Sequence, residues 1–318
     1  MNCRLSIKYD KRYQRYTRDS KLVGRNAGKV RWGFAFRRIG GCVLSARSFV
    51  DQIRPIGHVD VLSLGVSLAV LVVASAVMAL VGASQGISLL ITVLLVDIFF
   101  FMHACMIIGR PAAIRMFLIG IIGAFLFEEF VGLQSGLYYF TDLMGPRIDK
   151  APLAIGLSWM AVFYMGWFMA NLVCDGAPSP RRNSIPRIIV KAAVAALIVS
   201  ASDLAADPVS VEGGLWVWVD GGPFFGVPYS NYIGWFFVGT LILSIIGVVN
   251  RSNCDESIDF APFGPKLCSI APLLAFGLMG LVFIVGNYAG IMGVVEFYAM
   301  GATFLIALVK WFDWLMSS

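Results

Sequence analysis

The run GISLLITVLLVDIFFFMHACMII, residues 86–108, decides the fold class of this protein. Asp97 is the single charged side chain in it. A helix that crosses the hydrocarbon core of a bilayer needs about 20 mainly apolar residues, because each residue advances it by about 1.5 Å. This run therefore predicts a membrane-spanning helix.

Composition extends this interpretation to the whole chain of 318 residues. Hydrophobic residues make up 58% and charged residues 14%, with a mean hydropathy of +0.80. Soluble domains carry about 25% charged residues. The lower charged fraction of this chain therefore predicts a protein embedded in a lipid bilayer. Eight candidate spans lie at residues 59–82, 86–108, 111–128, 152–174, 187–206, 232–249, 268–287 and 291–310. We therefore predict an all-α, polytopic membrane helix bundle of about eight transmembrane helices.

The N-terminal segment differs sharply in charge. Residues 1–58 hold fourteen Lys and Arg against three Asp and Glu, although the whole chain carries a formal charge of only +6. Such a block is typical of a tail held at the cytoplasmic face by anionic lipids. We predict a basic interfacial tail at 1–58 and a transmembrane domain at 59–318. Because no nucleic-acid-binding motif accompanies these charges, we do not expect nucleic acid as a partner.

Basic loops set the predicted orientation, since loops rich in Lys and Arg stay in the cytoplasm. Arg110, Arg115, the loop around Arg181 and the final Lys310 all fall on one side if eight spans are counted. We predict an integral plasma-membrane protein with both termini cytoplasmic. The opposite side then receives the carboxylates Glu128, Glu129, Asp203, Asp207 and Glu296. Ionisable groups at membrane depth are costly, so this convergence predicts a functional site.

Two segments carry most of these polar groups. In residues 128–159, at least one of the adjacent Glu128 and Glu129 is expected to face the bundle interior, because a helix turns about 100° per residue. In residues 202–236, Asp203 and Asp207 are four apart and share one helix face. Pro208 is predicted to end that helix. The loop that follows is rich in Gly, Pro and Phe, and a lid over a lipophilic pocket or a re-entrant plug would both fit it.

Several classes of site lack support in the sequence. The chain has only His58 and His103, whereas membrane di-iron enzymes need clustered histidines. No GxGxxG or GxxxxGK[ST] motif occurs, so nucleotide and flavin sites are not indicated. The six Cys form no CxxC pair. We therefore predict no metal and no cofactor, which leaves carboxylic acids and aromatic side chains to act on a membrane-soluble substrate.

At these two segments the chain resembles the CruF-type carotenoid 1′,2′-hydratases, whose archaeal branch acts on bisanhydrobacterioruberin. Glu129 with the following GLQSGLYYFTDLMG carries the resemblance, as do Pro152 to Trp159 and DLAADPVSVEGGLWVWVDGGPFFGVPYSNYIGW from Asp203 to Trp235. Within the last stretch stand D-x-x-x-D-P, W-x-W, G-x-x-x-G-V-P and N-x-x-G-W. The resemblance covers roughly residues 110–250.

The resemblance implies acid-catalysed addition of water to a terminal alkene of an acyclic carotenoid. A carboxylic acid would protonate the less substituted carbon, and water would capture the tertiary cation with help from a carboxylate. Asp203 and Asp207 would be the acid and base in an order left open, and Glu129 would support them. The expected substrate-binding residues are Trp216, Trp218, Tyr138, Trp159, Phe225 and Asn231.

Other functions stay open at this point. A cyclase could quench the same cation by ring closure, and another carotenoid or polyprenyl enzyme or a non-enzymatic carotenoid-binding or transport protein would also suit the composition. Expected partners are the carotenoid or polyprenyl lipid itself, anionic membrane lipids at the N-terminus and other enzymes of carotenoid biosynthesis.

Overall fold

A computed structural model describes residues 85–253, 268–285 and 290–317 of the protein. The basic tail predicted at 1–58 and the span predicted at 59–82 lie outside the described residues. Six described helices are long and apolar enough to cross a membrane, so the predicted all-α polytopic membrane fold is confirmed. These six are Gly86–Ile108, Arg110–Ser135, Leu153–Asp175, Ile185–Glu212, Tyr229–Val249 and Ile291–Met316.

The regular elements are numbered in chain order. The α-helices are α1 (Gln85–Ile108), α2 (Arg110–Phe127), α3 (Leu153–Asp175), α4 (Ile185–Glu212), α5 (Tyr229–Val249), α6 (Ala271–Val285), α7 (Ile291–Glu296) and α8 (Ala302–Ser317). π-Helical turns follow α2 (Glu128–Gly132) and α7 (Phe297–Gly301), and 3₁₀ turns lie at Leu133–Ser135, Asp142–Met144 and Arg251–Asn253. The strands are β1 (Tyr138–Phe140), β2 (Arg147–Ile148), β3 (Ala151–Pro152) and β4 (Trp216–Trp218).

Helix α3 is the centre of the bundle. It is apolar around its whole circumference, and 17 of its 23 residues are buried, as expected of a helix surrounded by others. Helices α1, α2, α4, α6 and α8 all pack against it. Two glycines allow close approach: a Cβ atom on Gly156 would lie 2.9 Å from the carbonyl oxygen of Ile121 on α2, and one on Gly166 would lie 2.9 Å from that of Ala195 on α4. Small residues at such crossings let helix backbones touch.

A small cap of irregular backbone closes one end of the bundle. Strands β1 and β4 pair antiparallel, with Tyr138 opposite Trp218 and Phe140 opposite Trp216. Strands β2 and β3 form a short hairpin. The cap also contacts the start of α1, where the backbones of Gly86 and Gly145 meet so closely that neither has room for a side chain. The two segments singled out in the sequence therefore meet at the same end of the bundle.

This arrangement sharpens the predicted orientation. Because β1 pairs with β4, fusions of a topology reporter after Lys150 and after Asp220 must report the same side of the membrane. We expect both to report the outer side, and a fusion after Arg182 to report the cytoplasm, because the basic loop stays inside. Reporter activity in intact cells measures this. Opposite signals from Lys150 and Asp220 would contradict the fold, whereas a joint cytoplasmic signal would contradict only the orientation.

Candidate active site

The adjacent carboxylates Glu128 and Glu129 begin the π-helical turn that continues α2, and both are buried. A π turn holds more residues than an α-helical turn, and such turns often occur at functional sites. The two side chains diverge. Glu129 Oε2 accepts hydrogen bonds from the backbone N–H groups of Lys150 at 3.2 Å and Ala151 at 2.7 Å. Glu128 instead faces a cavity beneath the cap.

Tyr138 holds the Glu128 carboxylate in place. Its hydroxyl donates to Glu128 Oε1 at 2.9 Å. Burial, and then the neighbouring Glu128 carboxylate, raise the pKa of the Tyr138 phenol well above its ordinary range, so it remains a hydrogen-bond donor. A Cβ atom on Gly132 would overlap the Tyr138 hydroxyl, so the absence of a side chain at this position makes the contact possible.

Asp203 and Asp207 lie one turn apart on α4 and line the same cavity as Glu128. The prediction that Pro208 ends this helix is wrong, because α4 continues through it to Glu212. Proline has no N–H and deprives the carbonyl of Leu204 of its helical donor. Membrane helices tolerate this where neighbouring groups can satisfy the freed carbonyl. Asp203 and Asp207 therefore both belong to continuous helix.

The two aspartates have different neighbours. Asn231, in the first turn of α5, donates its side-chain amide to Asp207 Oδ2. Asp203 Oδ2 is buried and has no partner within the described part of the chain. A donor directed at a carboxyl oxygen stabilises its ionised form, whereas a buried carboxyl without donors favours the neutral form. The pair is thus built from identical side chains in unlike surroundings.

Aromatic rings form the roof of the cavity. Because alternate strand residues point to the same face, Tyr138 and Phe140 on β1 face the cavity together with Trp216 and Trp218 on β4. The centroids of the Tyr138 and Trp218 rings are 4.7 Å apart, and those of Phe140 and Trp216 are 5.8 Å apart. In the sequence, the alternation of Trp216 and Trp218 is typical of an extended segment with both rings on one side, and β4 confirms it.

A second aromatic pair lines the cavity from the helices. Trp159 on α3 and Trp235 on α5 are stacked, with ring centroids 3.5 Å apart and an angle of 26° between the ring planes. Phe127 on α2 packs against Trp235 at a centroid distance of 5.8 Å. This stack joins three helices beside the carboxyl groups.

The cavity has a volume of about 200 Å³. Its polar wall comes from the π-helical turn after α2 and from α4 and α5, which contribute Glu128, the two aspartates and Asn231. Its apolar wall comes from α1, α3 and the cap, and contains Leu89, Phe140, Met144, Ile155, Val162 and Leu215. A long apolar molecule with one reactive end would match this division.

The cavity brings together most of the site predicted from the sequence. Seven predicted residues line it: Asp203, Asp207, Trp216, Trp218, Tyr138, Trp159 and Asn231. Two do not. Glu129 binds the backbone behind the site, and Phe225 is 48% exposed in the loop between β4 and α5. Phe225 has a φ of 51°, which turns the chain at the tip of that loop.

Sequence reasoning did not list Glu128, Phe140 or Trp235 among the site residues. Glu128 was indistinguishable from Glu129 because they are adjacent. Trp235 could have been found as the last residue of N-x-x-G-W, the element that also supplies Asn231. Phe140 could have been found from alternation with Tyr138, had a strand been predicted there.

The two glutamates make a matched pair of variants. We expect Glu128→Gln to lower turnover of the substrate with little effect on stability, because its carboxyl faces the cavity. Glu129→Gln should instead lower thermal stability by about 1–3 kcal/mol, because it weakens charge-assisted hydrogen bonds to the Lys150–Ala151 backbone.

Thermal unfolding of the purified protein and turnover per folded molecule measure the two effects. If Glu129→Gln abolished turnover without loss of stability, Glu129 would act in catalysis, as predicted from the sequence. Its hydrogen bonds to the Lys150–Ala151 backbone would then not be its main role.

A protein-family model described as "Carotenoid biosynthesis protein" matches residues 86–299. The matched range includes every residue of the cavity wall. No curated protein and no solved structure gives a match.

Proposed function

The chain belongs to the carotenoid biosynthesis protein family, and from this premise we propose that it hydrates the terminal double bond of an acyclic carotenoid end group. Membership in the family implies a carotenoid or polyprenyl substrate. One observation carries the finer proposal: three carboxyl groups, Glu128, Asp203 and Asp207, line a cavity whose other walls are mostly aromatic and aliphatic. Such a cavity can supply and remove protons beside an alkene.

Asp203 is the proposed acid. Its Oδ2 has no partner within the described residues, and carboxyl neighbours favour keeping a proton on one member of such a group. The O–H bond of Asp203 breaks as a C–H bond forms at the less substituted alkene carbon. The positive charge then lies on the tertiary carbon. A primary or secondary cation would be far less stable, so the regiochemistry follows from the alkene itself.

Asp207 is the proposed base. The Asn231 amide donates to it and stabilises its ionised form. Water bonds through oxygen to the tertiary carbon, and its released proton passes to Asp207. One water has then been added, and one proton has moved from Asp203 to Asp207. The cycle closes when Asp203 regains a proton.

The aromatic roof stabilises the cation in this scheme. Trp faces are the best aromatic partners for a positive charge, at about 0.5–2 kcal/mol each. Trp216 and Trp218 present two indoles on one face of β4, and Tyr138 stands beside them. The apolar wall of the cavity, which includes Leu89 and Leu215, would hold the adjoining polyene.

The test is expression in a host that accumulates an acyclic carotenoid, followed by pigment extraction. Hydration adds the mass of one water per end group, and growth in isotopically labelled water places the label in the new hydroxyl. A product of unchanged mass and altered absorption would instead indicate cyclisation. Unchanged pigment, with the protein inserted in the membrane, would contradict the proposal.

A further inference from the structure

We propose that Glu296 is a positioning residue that acts through Asp203, returning a proton to it after each turnover along a path outside the substrate cavity. The inference rests on the proposed hydration. The proposed hydration steps do not use the carboxyl group of Glu296. Glu296 is 1% exposed, and neither of its carboxyl oxygens has a partner within the described residues.

Glu296 lies on elements that pack against the helix of the two aspartates. It is the last residue of α7, at the start of the π-helical turn Phe297–Gly301. Both α7 and this turn pack against α4, the helix that carries the aspartates. Asp203 interacts electrostatically with Glu296 as well as with Asp207 and Glu128. Glu296 is not part of the cavity wall, so it can act on Asp203 without touching the substrate.

Tyr232 completes the cluster. It follows Asn231 on α5, and its buried hydroxyl has no partner within the described residues. Tyr232 interacts electrostatically with Asp207, Asp203 and Glu296. One hydroxyl, which can both donate and accept a proton, thus lies among three carboxyl groups.

The chemistry needs such a connection. After water addition Asp207 carries the extra proton and Asp203 lacks one, while the hydroxylated product still occupies the cavity that both carboxyl groups line. A relay through Tyr232 and Glu296 avoids the product. Tyr232 accepts the proton of Asp207 and passes its own to Glu296, and Glu296 passes a proton to Asp203. Each step breaks one O–H bond and forms another, directly or through a bridging water, so no external acid is consumed.

The burial of the Glu296 carboxyl group also needs an explanation. An ionisable group at membrane depth is costly, and in membrane proteins such groups mark proton relays and substrate pathways. Helix α6, which also packs on α7, presents no titratable side chain within Ala271–Val285. Among the described residues, the titratable groups that interact with Glu296 are Asp203 on α4 and Tyr232 on α5.

The experiment compares the first turnover with the steady state in purified protein, using rapid mixing with an acyclic carotenoid in detergent micelles. We expect Glu296→Gln to form the first product at the wild-type rate, because Asp203 starts protonated. Steady-state turnover should then fall by about 10²-fold, in the range for loss of one proton-transfer group. Glu296→Asp should recover part of the loss and shift the pH profile of steady-state turnover.

Two further variants keep the test decisive. Tyr232→Phe removes only the hydroxyl and should show the same burst followed by slow turnover, even if Glu296→Gln folds poorly. Asp97→Asn is the matched control, since Asp97 is also a buried carboxyl without a partner among the described residues, but on α1. It should leave both phases unchanged.

The outcomes separate the two proposals. Absence of hydration by the wild-type protein defeats the proposed function. Wild-type hydration with an unchanged steady state in Glu296→Gln and Tyr232→Phe defeats the relay alone. Loss of the first turnover in both variants also defeats it, because these residues would then act in the chemical step itself.

Discussion

Replacing Asp203 or Asp207 by asparagine is expected to lower the rate of carotenoid hydration by about 10²–10⁴, the range for removal of a general acid or base. Asparagine keeps the size and much of the hydrogen bonding of aspartate but cannot transfer a proton. Both residues lie within continuous helix α4, so insertion and folding should survive. Initial rates of product formation per folded molecule, after extraction of pigment, measure the effect.

Asp220→Asn is the matched control, because Asp220 is exposed and outside the cavity wall. It should hydrate at the wild-type rate. The double variant Asp203→Asn with Asp207→Asn should be little worse than either single variant, since groups that act as a unit do not contribute additively. If both single variants retained near wild-type rates, the proposed acid–base pair would be wrong, and Glu128 would be the next candidate for the acid.

Breaking the ion pair between Lys191 and Asp175 is expected to cause the largest loss of stability, about 3–5 kcal/mol, because the buried Asp175 carboxylate would lose its buried counter-charge and keep only the more distant, exposed Arg187. Lys191 Nζ lies 2.8 Å from Asp175 Oδ2, and both side chains are at most 2% exposed. The ammonium group also lies 4.8 Å from the centroid of the Trp167 ring. Lys191→Met should therefore lower the thermal unfolding temperature and the yield of folded protein.

Two variants control this prediction. Arg187→Met removes a cation that is 58% exposed and 3.7 Å from the same carboxylate, and it should cost less than about 1 kcal/mol, as exposed pairs do. Adding Asp175→Asn to Lys191→Met should restore part of the loss, because it removes the charge that has lost its buried partner yet keeps an oxygen acceptor toward the Arg181 N–H. Equal effects of Lys191→Met and Arg187→Met would show that the pair contributes little.

The spans were predictable from sequence because membrane insertion depends on summed local hydrophobicity, a property of consecutive residues. Each of the six long helices overlaps a predicted span. The residues at which the helices end were less predictable. Helix α4 runs six residues past the predicted end at 206, since neighbouring groups in the bundle decide whether a proline is tolerated.

Part of the candidate site was also visible in the sequence. Helical periodicity alone put Asp203 and Asp207 on one face, and alternation put Trp216 and Trp218 on one side of a strand. Both arrangements occur in the structure. These patterns are local, so the backbone geometry of a single element is enough to fix them.

Other features depended on contacts between distant segments. The choice between Glu128 and Glu129 followed from a π-helical turn and from the backbone of Lys150 and Ala151, to which only Glu129 is directed. The pairing of β1 with β4 joins residues almost eighty positions apart, and no local pattern encodes such a register.

The packing of α7, which ends at Glu296, against α4 shows the same limit most clearly. The sequence by itself determined that this is a membrane bundle and that its carboxylates gather at one end, because both follow from hydropathy and loop charge. Only the tertiary structure decided which carboxylates face the cavity, which bind the backbone and which lie outside the cavity wall. That division depends on packing between α4, α5 and α7, and packing is a property of the folded chain alone.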